Sequence, residues 1–119
     1  MDKSMTVTLL ESALRGTSFR GKAIANNIAN VETPHYKRRE VEFGHLLEKA
    51  LENGKAAVAD VEPLLFAPRD TPADSAGNDV DLDTEIGNMI ENGTLHKTYL
   101  RLMTKMYKQM DMAIRGEGV

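Results

Sequence analysis

The stretch 82–114, LDTEIGNMIENGTLHKTYLRLMTKMYKQMDMAI, places Leu82, Ile86, Met89, Gly93, His96, Leu100, Met103, Tyr107, Met110 and Ile114 at alternating steps of four and three residues. That spacing keeps one narrow stripe on one side of a helix, the pattern of a coiled-coil seam. Between the stripe positions stand Glu91, Lys97, Arg101, Lys105, Lys108, Gln109, Asp111 and Arg115, which suit water or a polar neighbour. At 1.5 Å per residue the helix is about 50 Å long. A chain of 119 residues does not need so long a rod for its own core. The stripe therefore asks for cover from another surface.

Working back to the other end of the chain, Leu10, Leu14, Thr17, Gly21, Ile24, Ile28 and Val31 repeat the same rhythm. Thr8 and Glu11 fit a capping box, which predicts a first helix from about Thr8 to Ala29. Gly16 and Gly21 inside it each cost about 1 kcal/mol relative to Ala, and are expected to let another backbone approach closely. Thr33-Pro34 ends this helix, because proline lacks a backbone donor and disfavours helical geometry at the residue before it.

The fifty or so residues between the two patterned ends are polar and rich in turn formers. Phe43, Leu46, Leu47, Ala50 and Leu51 predict a short amphipathic helix from about Val41 to Glu52, with Asn53-Gly54 as its left-handed stop. AAVADVEPLLF reads as one irregular strand or an extended arm, and Pro63 argues against a central strand. APRDTPADSAGND reads as a mobile connection. Asp81 or Asp83 is expected to cap the last helix and Gly116 to end it. The expected class is mainly α: one domain over 1–119, with an N-terminal helix (8–30), a loop-rich middle holding a short helix (31–81) and a C-terminal helix (82–116). The two long helices pair as an antiparallel coiled coil that covers only part of both stripes, leaving faces such as Leu102, Met106 and Met112 outside.

Composition narrows the function. A net charge of −3 gives no electrostatic support to nucleic-acid binding. The absence of cysteine excludes disulfides and thiolate metal sites. The first sixteen residues lack the apolar core of a secretory signal, and no apolar run approaches 18 residues. Asp79, Asp81 and Asp83 open like a calcium loop, but Thr84 and Ile90 stand where Gly and Glu are required. His35, His45 and His96 have no metal-ligand spacing, and His96 is expected to be a hydrogen-bonded seam residue. Tyr36-Lys37-Arg38-Arg39 is bracketed by Glu32, Glu40 and Glu42 and reads as a solvated or partner-facing patch. With no phosphate loop, nucleophile elbow or cysteine nucleophile, the expectation is no enzyme, no cofactor and no small-molecule substrate.

More specific than these is the segment NNIANVETPHYKRREVEF, read with GNDVDLDTEIGNMIENG and the end MDMAIRG. Together they resemble the FlgB family of bacterial flagellar basal-body rod proteins, within the wider set of flagellar axial proteins. The features that carry the resemblance are Ala13-Leu14, Arg20, Asn27-Ile28-Ala29-Asn30, Thr33-Pro34, Tyr36-Lys37 and Phe43. Near the other end they are Asn78, Val80-Asp81, Glu85, Asn92 and Ala113-Ile114-Arg115-Gly116. His96 departs from the family's usual Tyr. The resemblance implies a structural subunit of the proximal rod, which crosses the periplasm. Its partners would be other copies of itself, other rod proteins, and the membrane-ring and export-gate components. It also implies export through the flagellar type III apparatus without a cleaved signal. The expected assembly motif is Asn27, Ile28, Ala29, Asn30, Thr33, Pro34, Tyr36 and Lys37. The expected helix-packing positions are Leu10, Leu14, Ile24, Ile28, Ile86, Met89, Leu100, Met103, Tyr107, Met110 and Ile114. Asn26, Asn27 and Asn30 are expected to satisfy backbone groups where the first helix turns, and the terminal helices to order fully only on assembly. The alternative is a soluble coiled-coil adaptor or export chaperone.

Overall fold

A computed structural model describes residues 1–116, so the last three residues of the expected 1–119 domain lie outside it. Helix α1 runs Lys3–Ala29. It starts five residues earlier than the capping box suggested, because Asp2 is the cap and its carboxylate accepts the Met5 N–H at 2.7 Å. Thr8 instead lies inside the helix, its hydroxyl donating to the Ser4 carbonyl. The helix stops at Asn30, four residues before Pro34, and two successive turns carry the chain to Tyr36. His35 there adopts a left-handed φ of 62°.

The middle segment is more regular than its composition suggests. Strand β1 (Glu40–Glu42) pairs antiparallel with β2 (Leu64–Phe66), Val41 opposite Leu65. Helices α2 (Gly44–Leu51) and α3 (Lys55–Asp60) lie between the two strands. The start of the expected 41–52 helix is thus strand. The stretch expected as one strand or arm is helix and then strand: Gly54, at φ 95°, opens α3, and Val58 is fully buried. Pro63 directly precedes β2, whose outer edge is unpaired, as a proline there requires.

Helix α4 spans Leu82–Arg115. Asp81 caps it, accepting from Asp83 and Thr84, and Gly116 ends it in the left-handed conformation at φ 74°. The helix packs along α1 in the antiparallel sense, since Thr17 meets His96, Arg20 meets Glu91 and Glu11 meets Tyr107. α3 and β1 pack on another side of α1: the Ser12 hydroxyl donates to the Val58 carbonyl at 2.6 Å, and Arg15 donates to the Ala59 and Val61 carbonyls. Gly16 makes room for a side chain here, not for a backbone. A Cβ on it would lie 2.1 Å from Cδ1 of Phe43.

The result is a flat bar, 64 × 27 × 14 Å, with a radius of gyration of 18.0 Å. A compact chain of this length would measure about 13.5 Å. Its accessible surface of 7919 Å² compares with about 6,400 Å² for a globular monomer of equal mass. The extra area, about 1,500 Å², is close to what two partners of ordinary interface size cover together, at about 800 Å² each.

Candidate functional site

Three chain segments meet where α1 ends, and side chains from all three tie the junction together. Asn27, fully buried, uses both ends of its amide: Nδ2 donates to the Arg39 carbonyl at 2.9 Å, while Oδ1 accepts from the Arg39 N–H and the Tyr36 hydroxyl, both at 2.9 Å. Asn30 donates to the Asn26 carbonyl and accepts from the Thr33 hydroxyl, closing the turn. From the segment before α4, Asn78 donates to the carbonyls of Asn30 and Thr33 at 2.9 and 2.8 Å. Lys37 reaches the Gly77 carbonyl, and His35 donates its N–H to Ala76. Thr33 and Pro34 are exposed, Ala29 is exposed and Ile28 is half-buried.

The basic run is not a solvated or partner-facing patch throughout. Arg38 turns inward, its Nε donating to Glu85 at 2.8 Å and its Nη1 to Glu40 at 2.6 Å, while its backbone N–H donates to Asp79. Burial works against the Arg38 charge, but the hydrogen bonds and charges of Glu40 and Glu85 outweigh it and hold the guanidinium above its ordinary pKa. For Tyr36, burial raises the phenol above its usual value. Arg39 opposes this, and Glu85 and Asp79 add to it. Charge counting along the run misses Arg38 because its partner Glu85 lies 47 residues away. Asn78, Asp79 and Arg38 were absent from the expected motif. The signal for the first two was local: an Asp74-to-Asn78 turn in which Asp74 accepts three backbone N–H groups and the Asn78 carbonyl accepts the Asp74 N–H.

The polar groups of this junction are engaged with one another, so the arrangement is suited to holding segments in place and offers no nucleophile aligned with a base. Among the described residues no cluster of three or more His, Asp or Glu side chains is placed to hold a metal ion. Asp79 and Asp81 are occupied with backbone N–H groups.

The second feature is the apolar row of α4, on the flank of the helix beside its contact with α1. Of the packing positions expected from the stripes, Leu10, Ile24 and Met103 are buried, and Leu14, Ile28 and Met110 are half-buried. Ile86, Met89, Leu100, Tyr107 and Ile114 are exposed, the last by 84%. Leu102 is exposed as well, but Met106 and Met112 are half-covered. The side of α4 turned to α1 carries Glu85, Asn92 and Met103 as its buried residues. Leu82, Ile86, Met89 and Leu100 form an apolar row that the chain covers only in part, each keeping between 38% and 48% of its surface exposed.

No family model matches the chain. Whole-length relatives do. It is 34% identical over 110 residues to the flagellar basal body rod protein FlgB of Cereibacter sphaeroides, covering 82% of this chain and 84% of that one. The chain belongs to the FlgB family. Proteins of the same name from Bacillus subtilis and Borrelia hermsii are each 29% identical, over 95% and 93% of this chain and 95% and 96% of their own lengths. As a FlgB-family protein the chain is a structural subunit of the bacterial flagellar basal body rod, associated with other basal body components, and nothing in these likenesses favours an adaptor or a chaperone. No helix among the described residues is long and apolar enough to cross a membrane.

Proposed function

We propose that the subunit joins the proximal part of the rod by polymerising through its two terminal helices, with no catalytic step. The part-exposed apolar row on α4 supports this most directly. Ile86, Met89, Leu100 and Tyr107 lie exposed along a 64 Å bar, as a side-by-side stack of subunits requires. Such a stack buries each row against sibling helices, and its hydrophobic gain grows with the area removed from water. In this reading the neighbours are further copies, other rod proteins, and the membrane-ring and export-gate components at the base. The subunit crosses the inner membrane as an unfolded type III export substrate with no cleaved signal and settles in the periplasmic rod. The 27–37 motif acts by holding the end of α1 and the start of α4 in the geometry that neighbours meet.

A subunit with so much uncovered apolar surface completes its order when neighbours cover it. Far-UV circular dichroism of the dilute monomer should show less helix than the assembled form; full, cooperative helicity in the monomer contradicts this part. The assignment itself is tested by electron microscopy of basal bodies from cells lacking the protein. The rod should be absent or truncated at its base, and an intact rod refutes the proposal.

A further inference from the structure

We propose that the buried polar side chains between α1 and α4 set the alignment of the two helices, selecting one of several alignments that apolar packing alone would accept. Both rows repeat every seven residues: Leu10, Leu14, Thr17, Gly21, Ile24 and Ile28 on one side, Leu82 to Ile114 on the other. Sliding α4 by one repeat, about 10.5 Å, returns apolar residues to apolar places. The polar contacts do not survive that slide. In the observed alignment His96 Nδ1 lies 2.6 Å from the Thr17 hydroxyl, Asn92 Nδ2 donates to the Thr17 carbonyl at 2.8 Å, and Arg38 meets Glu85.

A slide in one direction brings Tyr99 and Met103 to the places of Asn92 and His96, and Asn92 to that of Glu85. Thr17 then loses both cross-helix partners, and the buried Arg38 loses a carboxylate. The opposite slide brings Glu85 and Met89 to those places and sets a carboxylate against the Thr17 carbonyl. Either way buried polar groups go unpaired. The native alignment also bears a cost that stability alone does not explain. Asn92 Oδ1 and Glu85 Oε2 are buried without a hydrogen-bond partner among the described residues. Polar residues kept in a helix seam at such a cost are the known device for fixing alignment. For an assembling subunit the consequence is geometric, since a slipped α4 would carry its part-exposed row about 10.5 Å past the β1–β2 pair and the α1 surface.

The chain has no cysteine, so engineered pairs report alignment cleanly. Joined by a short bismaleimide, Glu11→Cys with Tyr107→Cys reports the native alignment, because the tips of those two side chains meet. Glu11→Cys with Leu100→Cys, or with Ile114→Cys, reports a slide of seven residues either way. In the full chain, cross-linking should favour the native pair over each slipped pair by about tenfold or more, the population ratio that an unpaired buried group imposes. Adding Thr17→Val, Asn92→Leu and His96→Leu should cut that preference to about threefold or less while helicity is retained. Asn92→Leu alone should lower it part of the way. A preference unchanged in these variants overturns the proposal. Loss of helicity in both the triple and the single variant overturns it too, since the contacts would then hold the fold together and not select among alignments.

Discussion

Asn27 pairs with Arg39 as a neighbouring strand would, donating to its carbonyl and accepting from its N–H at the same distance of 2.9 Å. A side chain on α1 thereby supplies the backbone bonding that the chain leading into β1 would otherwise lack. The third contact, from the Tyr36 hydroxyl, uses the remaining capacity of the amide oxygen. An unpaired buried backbone group costs about 1–3 kcal/mol, so this one residue controls several such groups.

Asn27→Leu should destabilise the subunit by about 2–4 kcal/mol, since it leaves the Arg39 donor and acceptor and the Tyr36 hydroxyl without partners. Asn27→Asp, which sets a buried carboxylate oxygen against the Arg39 carbonyl, should cost at least as much. Urea unfolding followed by circular dichroism measures both. Equal stability of Asn27→Leu and the parent chain would remove the clamp from the fold's energetics.

The glycines of the two long helices should respond in opposite directions. Gly87 and Gly93 have open space where a Cβ would stand, so Ala at either should stabilise by up to about 1 kcal/mol. Gly16 faces the Phe43 ring, and Gly16→Ala should destabilise by about 1–3 kcal/mol despite its better helix propensity. Adding Phe43→Leu to Gly16→Ala should recover part of the loss. Thermal melts of the four variants decide the signs, and a stabilising Gly16→Ala would show that the ring does not sit against α1.

Arg38 and Glu85 should show the asymmetry of a buried ion pair. Arg38→Met alone strands a fully buried carboxylate and should cost about 3–5 kcal/mol, whereas Arg38→Met with Glu85→Leu should lie within about 2 kcal/mol of the parent. A double variant as unstable as the single one would mean that the pair contributes net stability.

Tyr36 ties stability to alkaline pH. Its folded-state pKa is raised above the usual value, mainly by burial, so the folded protein holds the phenolic proton more tightly than the unfolded chain. The contribution is therefore complete below about pH 10 and fades as pH climbs through the folded-state value. The urea midpoint should fall above about pH 10 more steeply in the parent than in Tyr36→Phe. Parallel curves for the two proteins would contradict the shift.

The long elements were legible because their signals are local and repeated. The seven-residue rhythm located α4 and most of α1, and Asp81 and Gly116 marked the ends of α4 by chemistry that depends on adjacent residues alone. The start of α1 was misplaced because residues 3–8 carry no strong apolar rhythm and Asp2 acts through a single carboxylate. β1 and β2, three residues each, are too short for an alternation to declare itself, and their partnership spans more than twenty residues. The inward turn of Arg38 depends on a glutamate far along the chain. The row on α4 also exposed the limit of apolar pattern: the helix packs on α1 with Glu85 and Asn92 buried, and much of the apolar row stays part-exposed on the flank of that contact.

That part-exposed row is tested most directly by Ile86→Asp with Met89→Asp. Both residues are exposed in the subunit, so the isolated protein should keep the parent's helicity and melting behaviour. In cells, the tagged variant should be missing from purified basal bodies, and the cells should not swim. Recovery of the variant in basal bodies at the parent's level, with normal swimming, would show that rod assembly does not use this face.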